Sequence, residues 1–421
     1  MVEVLKKRLL NPFCLAAVIF ALLIYSGLLC VTDRHSFVSL VPSESVSFIE
    51  GQIVSNPVKT SSGKYYILTL AARQCGSRIK GYSVKSSAGG NVKCLVPSKI
   101  VEAVYPGRLY SSFGKQIAAE KGEVLCVKGS FSNGVFFVKD ADNLELEDSF
   151  SSKVIRLRTA SRIKFKRLMF SWKNAGGFIL ALLSGSKEYT DKNVTDNFRR
   201  AGLSHILALS GMHLSFFAAI ASGSGKKLFG KKFSFIFKFL GVMFFVWFAG
   251  LSPSLLRALL CSLIMLLCAV VFSLDADFFI VLCSVFLIHC AVQPADIFSA
   301  AFILSYGALA GILLFADFFN GFICRCVPLK ISSPLSASAG AQIVTAPVAL
   351  KMFGFFTPWG IISTVVVSPL ISMFFILSLA AIALCLLLPF LAPVFNYIMN
   401  AAYNLIAVTV QLFALLPAIE L

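Results

Sequence analysis

The side chains that could do chemistry are few, and most of them fall in one stretch near the middle of the chain. Two of the four histidines, His205 and His213, lie within Gly202–Leu214, together with Ser210 and Gly211. Ser210 and His213 are three residues apart, so they share a face if the stretch is helical. His205 and His213 are eight apart, which is not a metal-ligand spacing on one helix. Such residues in an apolar helix either join helices by hydrogen bonds or line a polar path, and the residues alone leave both alternatives open.

Motifs for catalysis or cofactor binding are missing. Cys324 and Cys326 form a single Cys-x-Cys pair, with no second pair to complete a zinc site. The stretch Gly223–Lys227 is similar to a phosphate-binding loop. However, Lys227 stands where Ser or Thr binds magnesium, and Ile220 stands where the first glycine belongs. We therefore expect no enzyme activity, no cofactor and no bound metal.

Composition predicts where these residues lie. The 421-residue chain is 57% hydrophobic and only 14% charged, whereas soluble domains have about 25% charged residues. This balance excludes a disordered chain, argues against a soluble globular protein and predicts a polytopic membrane protein. The formal net charge of +18 predicts anionic partners, which are lipid headgroups, nucleic acid or acidic polymers.

Long apolar runs predict the helices that position the polar residues. The run 12–31 follows Lys6, Lys7 and Arg8, which predicts an uncleaved anchor with a cytoplasmic N-terminus; a cleaved signal peptide is the alternative. The 359–390 run contains Pro369 and is either one span or two, so nine or ten spans are expected. The other predicted spans are 204–222, 234–250, 255–273, 277–293, 296–316, 338–356 and 394–417.

Loop charges give a topology that agrees with this anchor. The basic loops are predicted inside, and the turns 251–254 and 293–295, which lack Lys and Arg, outside. Arg257 then lies near the outer end of its span, where it either snorkels to the interface or presents its charge to a vestibule. Ser305 is a weaker candidate for the same polar path. The basic loop residues are Lys226, Lys227, Lys231 and Lys232 in one loop, and Arg325 and Lys330 in another.

Two segments between the anchor and the main apolar region have a different texture. Short alternating stretches within 45–146 predict a small β-barrel or sandwich outside the cytoplasm, with either a Cys75–Cys94 disulfide or free thiols. Residues 151–173 carry eight basic side chains and no acid, which predicts an amphipathic helix in a membrane interface. Its charges would meet lipid headgroups, attract an anionic polymer, or both. The basic residues that would attract such a polymer are Arg156, Arg158, Lys164, Lys166 and Arg167, with Arg199 and Arg200 further along the chain.

At these motifs the sequence resembles the ComEC competence-channel family, whose members pass single-stranded DNA into the bacterial cytoplasm. The segment Phe198–His213 is similar to the family's Gly-Leu-x-His and Ser-Gly-x-His hallmark, and Gly250–Ala258 to its Gly-x-Ser-x-Ser…Arg-Ala pattern. Leu182–Gly185 is similar to the family's short Leu-rich Gly motif, and Pro294–Ser305 matches a later segment weakly. Ser363 departs from the pattern, since an Asn is usual there.

The resemblance implies a polytopic α-helical membrane protein of about nine or ten spans, with an extracytoplasmic OB-like β-barrel inserted after the first span. It implies a plasma-membrane subunit for DNA uptake in natural transformation, in a short form without the C-terminal metallo-β-lactamase-like domain. A small-solute secondary transporter and an envelope scaffold are the alternatives. The predicted domains are 1–31 (anchor), 32–150 (OB-like), 151–203 (interfacial helices) and 204–421 (competence transmembrane domain).

Site and partner predictions follow from the same resemblance. The partners would be single-stranded DNA, membrane lipid, a DNA receptor, a cytoplasmic ATP-driven helicase or translocase, a separate nuclease and further copies of this chain. The predicted translocation pathway consists of His205, Ser210, Gly211, His213, Arg257 and Ser305.

Overall fold

The computed structural model describes residues 10–28, 37–60, 62–79, 82–101, 117, 119–144, 149–207, 209, 211–271 and 276–420. The chain divides into two compact units. The sheet unit comprises Asp33–Lys192 and Pro393–Asn400, and the helical unit comprises Met1–Thr32, Asn193–Ala392 and Ala401–Leu421.

The sheet unit is built on a mixed sheet. Its pairings run in a cycle, since β4 pairs with β2 and β6, β2 with β7, β7 with β8, and β8 with β6. The β6–β8 pair is parallel and the other named pairs are antiparallel. The strands are β1 Val38–Ser39, β2 Phe48–Ile53, β3 Val58–Lys59, β4 Tyr65–Ile79, β5 Tyr82–Gly89, β6 Asn91–Pro97, β7 Val124–Ser132 and β8 Val135–Asn143.

Alternation along the strands makes the core of this unit. In β6, Val92, Cys94 and Val96 are buried whereas Lys93 is exposed, which is the period of two that a strand imposes. The inward residues of β2, β4, β7 and β8 complete the same apolar cluster. The first helix of the chain, α1 Pro12–Tyr25, precedes the strands. Two helices follow them, α2 Phe150–Phe170 and α3 Lys173–Ser184.

The disulfide alternative for this unit is wrong. Cys75 and Cys94 are both free and buried. Cys94 pairs with Leu68, and Leu68 lies seven residues before Cys75 on β4. At about 3.3 Å per residue the two positions are roughly 20 Å apart along the strand, whereas a disulfide needs Cα atoms within about 7 Å.

Helices make up almost all of the other unit. Capping residues set several helix starts: Asn11 accepts a hydrogen bond from the Phe13 backbone N–H, Asp277 from Phe279, and Ser299 from Phe302. The remaining helices are α4 Lys192–Arg200, α5 Ser204–Leu207, α6 Gly211–Phe229, α7 Lys231–Ala249, α8 Pro253–Val271, α9 Phe278–Val292, α10 Ala300–Ile323, α11 Leu329–Phe353, α12 Gly360–Leu387 and α13 Ala392–Ala414.

By length and composition, three helices within the described residues are long and apolar enough to cross a membrane, and they mark this chain as a membrane protein. They are Ala300–Ile323, Gly360–Leu387 and Pro389–Ala414. Four shorter apolar helices accompany them: Pro12–Tyr25, Ile236–Ala249, Pro253–Cys268 and Phe278–Val292.

Several helix boundaries differ from the predicted spans. The predicted 204–222 span is displaced, because the helix begins at Gly211 and ends before Gly230, where a φ of 90° breaks it. The 359–390 run forms the single helix α12 despite Pro369. The anchor helix α1 has 14 residues, about 21 Å, which is shorter than the roughly 30 Å bilayer core. It packs against α9 through Cys14 and Ala17.

Candidate functional site

Arg257 is the centre of a polar site in the helical unit. Its Nη1 atom donates a hydrogen bond to the backbone carbonyl of Ser305 on α10, and its guanidinium carbon lies 5.9 Å from the centre of the Tyr306 ring. The first residue of α6, Gly211, lies beside it, since a Cβ there would stand 3.9 Å from Arg257 Nη2. Three of the predicted pathway residues, Gly211, Arg257 and Ser305, are therefore brought together.

The guanidinium is held by the protein but keeps bonding capacity. Its Nε atom is buried and has no hydrogen-bond partner among the described residues. A charged side chain among apolar helices is costly, so it is usually found where it faces a polar path or a partner. A planar guanidinium with unused donors suits recognition of a phosphate or carboxylate.

A chain of polar side chains that the sequence analysis missed continues from this site. Tyr306 Oη lies 3.1 Å from His289 Nδ1, and His289 Nε2 lies 3.3 Å from Asp296 Oδ2. His289 has no exposed surface. In the sequence, this pair is a histidine seven residues before an aspartate. Their contact could be predicted only by expecting the chain to turn between them. The short 3₁₀ helix Pro294–Asp296 makes that turn.

The other predicted pathway residues lie elsewhere or cannot be placed. His213 is fully buried, and its ring centre lies 5.1 Å from that of Phe375 on α12, so it packs against an aromatic side chain. His205 is exposed on the separate short helix α5. Ser210 lies outside the described residues, so the predicted face shared by Ser210 and His213 stays a prediction.

The family-like segment before α5 is fixed by backbone contacts. Gly202 has a φ of 74°, and a Cβ there would meet the Gly360 Cα atom at 3.0 Å, so this close approach needs glycine. Ser363 Oγ donates a hydrogen bond of 2.8 Å to the carbonyl of Ala201. The serine that departs from the usual Asn is thus a hydrogen-bond donor to this turn.

Arg199 and Arg200, at the end of α4, are exposed. Arg199 Nη2 donates to the Phe353 carbonyl at 3.4 Å, and its guanidinium carbon lies 4.9 Å from the centre of the Phe355 ring. The ring orients the guanidinium but leaves its charge open to solvent. Both arginines therefore remain where an anion can reach them.

The basic helix α2 in the sheet unit does not present all its charges. Arg156, Lys164 and Arg167 are exposed. Arg158 is partly buried and donates to the Lys121 carbonyl at 3.2 Å, and burial lowers the pKa of its guanidinium to about 10. Lys166 is buried, so the prediction that it attracts DNA is wrong.

Lys166 instead belongs to a buried charge cluster formed by Glu120, Arg162, Lys166 and Glu188. Arg162 Nε lies 2.7 Å from Glu120 Oε2, and Lys166 Nζ lies 2.5 Å from Glu120 Oε1 and 2.8 Å from Glu188 Oε1. Burial alone would raise the pKa of Glu120, but the adjacent Arg162 and Lys166 charges outweigh it and hold that pKa below 4.5. Two positive and two negative charges balance, so this face of α2 packs inward rather than lying in a membrane interface.

An apolar strip crosses the outer face of the sheet. Val58 pairs with Ile67, Ile67 with Leu95, and Leu95 with Phe137, so the four side chains lie in one row across β3, β4, β6 and β8. Val58, Ile67 and Phe137 are 53%, 40% and 38% exposed. Because the buried residues of these strands alternate with them, the strip faces away from the core.

Basic and aromatic groups flank the apolar strip on the same face. Lys93 and Lys139 are exposed and lie two residues from Leu95 and Phe137 on their strands. Tyr65, which is 38% exposed, lies two residues from Ile67. Aromatic and apolar side chains between lysines form a surface on which bases can stack while phosphates meet positive charge.

Within the described ranges, no group of three or more His, Cys, Asp and Glu side chains is placed to hold a metal ion. The family model described as competence protein matches residues 182–421, which is more than half of the chain and includes Gly202, Gly211, Arg257 and His289. Neither the curated proteins nor the solved structures contain a match.

Proposed function

Because this chain belongs to the competence protein family, we propose that it is the plasma-membrane subunit that passes single-stranded DNA into the cytoplasm during natural transformation. Family membership confirms the resemblance to ComEC proteins and relates the chain to DNA uptake. The role as a channel for a single strand is our proposal. DNA carries dense negative charge and cannot enter hydrocarbon, so a protein must offer it a positive entrance and a polar path.

The observation that carries the proposal is the Arg257 site. It lies inside the family-matched segment, joins three separate helices and keeps a buried guanidinium nitrogen without a partner among the described residues. A guanidinium in such a place can contact a passing phosphate while the Ser305 carbonyl holds it in position. The exposed Arg199 and Arg200 would raise the local concentration of an anionic polymer.

Substitution of Arg257 tests the path. Arg257→Gln should reduce import of labelled DNA at unchanged protein abundance, and Arg257→Lys should restore part of it because the charge returns without the planar fork. Arg325→Gln, which removes an exposed arginine after α10, is the matched control and should import normally. Normal import by Arg257→Gln at normal abundance would exclude a path role for this side chain. A loss of protein in the membrane would assign Arg257 to helix packing instead.

The sheet unit would guide the strand. The closed cycle of pairings among five strands supports an OB-like barrel, and the apolar strip with Tyr65, Lys93 and Lys139 supplies stacking and phosphate contacts. We place this unit outside the cytoplasm, after a cytoplasmic N-terminus, in keeping with the basic loops predicted inside. Cysteine labelling of intact cells at Lys64 and at Lys227 tests this topology, since labelling at 227 but not at 64 would reverse it.

Binding by the apolar strip is measurable on the full chain in nanodiscs of zwitterionic lipid. Fluorescence anisotropy of a short labelled oligothymidylate should show weak binding that falls steeply with salt. Phe137→Ala should weaken binding by about 5–150-fold, since one base stacked on an aromatic ring contributes about 1–3 kcal/mol. Phe150→Ala, which removes an aromatic ring that is 83% exposed on α2, should leave binding unchanged. No binding at low salt would reduce the sheet unit to a structural role.

The proposal requires other proteins. No nucleotide-binding motif is visible in the sequence, so a cytoplasmic ATP-driven helicase or translocase would pull the strand, a receptor would deliver it and a separate nuclease would degrade its complement. The chain itself would not be an enzyme, and it would act alone or as a homo-oligomer.

Polar groups among apolar helices also suit a small-solute secondary transporter, which is the second candidate. That candidate predicts inverted repeats in the hydropathy, and the sequence shows none that is convincing. Solute uptake by vesicles that import no DNA would favour it. A scaffold for envelope machinery would show neither activity.

A further inference from the structure

His289 has a complete set of hydrogen-bond partners although its side chain is fully buried. Nδ1 lies 3.1 Å from Tyr306 Oη, and Nε2 lies 3.3 Å from Asp296 Oδ2. The Tyr306 hydroxyl has a second partner, because it also lies 3.4 Å from the backbone carbonyl of Val285. The carboxylate of Asp296 is 17% exposed and connects the group to the surface.

This arrangement satisfies both protonation states of the imidazole. When His289 is neutral, Nε2–H donates to Asp296 and Nδ1 accepts from the Tyr306 O–H. When His289 is protonated, Nδ1–H donates to the Tyr306 oxygen, and the Tyr306 O–H turns to donate to the Val285 carbonyl. Neither state leaves a buried donor or acceptor of this group without a partner, which is the usual cost of changing charge inside a protein.

We propose that His289 is a proton-binding site and that rotation of the Tyr306 hydroxyl accommodates its two states. The proton comes from solvent and adds to Nδ1, the ring nitrogen that carries no hydrogen in the neutral state, once the Tyr306 O–H has turned to the Val285 carbonyl; it leaves by the same route. The imidazole gains one positive charge and no other bond changes. A buried histidine paired with a carboxylate inside an apolar helix bundle is an arrangement suited to this task.

The charged and titratable groups around His289, Tyr306 and Asp296 set the balance between the neutral and protonated states of His289. Asp296 favours the protonated form from 3.3 Å. Arg257 on α8 opposes it, but its guanidinium carbon lies 5.9 Å from the centre of the Tyr306 ring, with that ring between it and His289. Among the described residues, Cys261 on α8, Cys290 on α9 and Tyr25 on α1 also lie nearby and can titrate. The carboxylate is in direct contact and therefore has the larger effect.

Protonation also changes the neighbouring Arg257 site. Tyr306 touches both groups, with its hydroxyl on His289 and its ring beneath the guanidinium. A proton on His289 adds a positive charge next to the site that we propose contacts phosphate. Import should then rise as external pH falls; this consequence, unlike the proton site, rests on the proposed function.

Nitrogen NMR of the full chain in nanodiscs, with ¹⁵N-labelled histidine, tests the proton site directly. The signal lost in His289→Gln identifies His289, and it should move between two positions, those of the neutral and the protonated ring, as the pH is changed. Asp296→Asn keeps a hydrogen-bond acceptor but loses the charge, so the proton affinity should fall about 10–1000-fold. Tyr306→Phe should lower it about tenfold or more. Asp317→Asn, at an exposed position on α10, should leave the midpoint unchanged.

The outcomes separate the proton site from the proposed function. A His289 signal that does not change with pH while the protein stays folded, or an unchanged midpoint in Asp296→Asn, would overturn the proton site even if DNA import is normal. Titration as expected in a protein that imports no DNA would leave the proton site standing and contradict the proposed function. If Tyr306→Phe fails to fold, the wild-type and Asp296→Asn titrations still decide.

Discussion

Lys166 offers a quantitative test of the buried charge cluster. Its ammonium contacts both Glu120 and Glu188, and all three side chains are at most 6% exposed. Lys166→Met keeps most of the length of the side chain and removes its charge. Arg162 still neutralises Glu120, but Glu188 then loses the cation that it contacts. Removing one partner of a buried ion pair costs about 3–5 kcal/mol, so we expect the sheet unit to lose that much unfolding free energy at pH 7.

The loss should depend on pH in a definite direction. Burial raises the pKa of Glu188 above 4.5, with the Lys166 charge opposing that shift. Without Lys166 the pKa of Glu188 rises further in the folded state, so the folded protein binds a proton more readily than the unfolded chain. A raised carboxyl pKa contributes stability at low pH that is lost as pH rises through the folded-state pKa. Lys166→Met should therefore be less destabilising at pH 5 than at pH 8.

Two buried thiols provide the assay on the full chain in detergent. Cys75 and Cys94 have no exposed surface and react only when the sheet unfolds. Mass spectrometry of their labelling in rising urea gives the unfolding free energy of this unit. Lys164→Met, an exposed neighbour on α2, should change it by less than about 0.5 kcal/mol.

The double variant Lys166→Met/Glu188→Gln should recover most of the loss, because it removes both members of the pair. The reasoning is refuted if Lys166→Met unfolds like the wild type, or if the double variant is no more stable than Lys166→Met alone.

Three further outcomes are expected. Gly202→Ala should lower the unfolding free energy by about 1–2 kcal/mol, because the backbone there has a φ of 74° and the new Cβ would meet Gly360. Gly223→Ala on α6, which has open space around it, should be neutral or stabilising. The fraction of protein that remains folded on size exclusion after heating compares the two. Gly311→Ala places a Cβ against the backbone of α11 and should lower the unfolding free energy by about 1–3 kcal/mol, seen as less folded protein after heating. Gly321→Ala on the same helix meets no neighbouring atom and should have no such effect. Equal losses in the two variants would contradict the close approach of the helices. Acidification should destabilise the sheet unit through Glu120, because the pKa of this carboxyl is lowered in the folded state. Its contribution to stability is complete above about pH 4.5 and is lost as pH falls through the folded-state pKa. Thiol labelling of Glu120→Gln should show a smaller loss of stability on acidification than the wild type.

Local patterns in the sequence were sufficient for much of the helical unit and for part of its site. Most long apolar runs in the sequence form helices in the structure, because the apolar residues of such a run can all be kept away from water in a helix. Gly211, Arg257 and Ser305 lie in three different runs, yet the family-like motifs singled them out, and the structure brings them together. The end of one helix at Leu207 and the start of the next at Gly211 were not predicted, because the polar residues around them were placed inside one continuous span.

Long-range pairing explains what the sequence did not reveal. The partners of Lys166 lie 46 residues before it and 22 residues after it. Because helix α2 contains no acidic residue of its own, its sequence predicted that its basic side chains face lipid headgroups or an anionic polymer. The His289–Tyr306 contact joins α9 to α10 across a turn. The apolar strip needs the register of four strands, and that register depends on which strands pair. Composition and spacing along one segment contain none of this information.

Import of labelled DNA into cells lacking this gene tests the central claim most directly. Radioactive DNA that becomes resistant to external nuclease reports passage of a strand into the cytoplasm. The account predicts that import is lost in the deletion strain, returns with the wild-type chain and stays low with Arg257→Gln produced at the same level. Import by the deletion strain at the wild-type rate would contradict it.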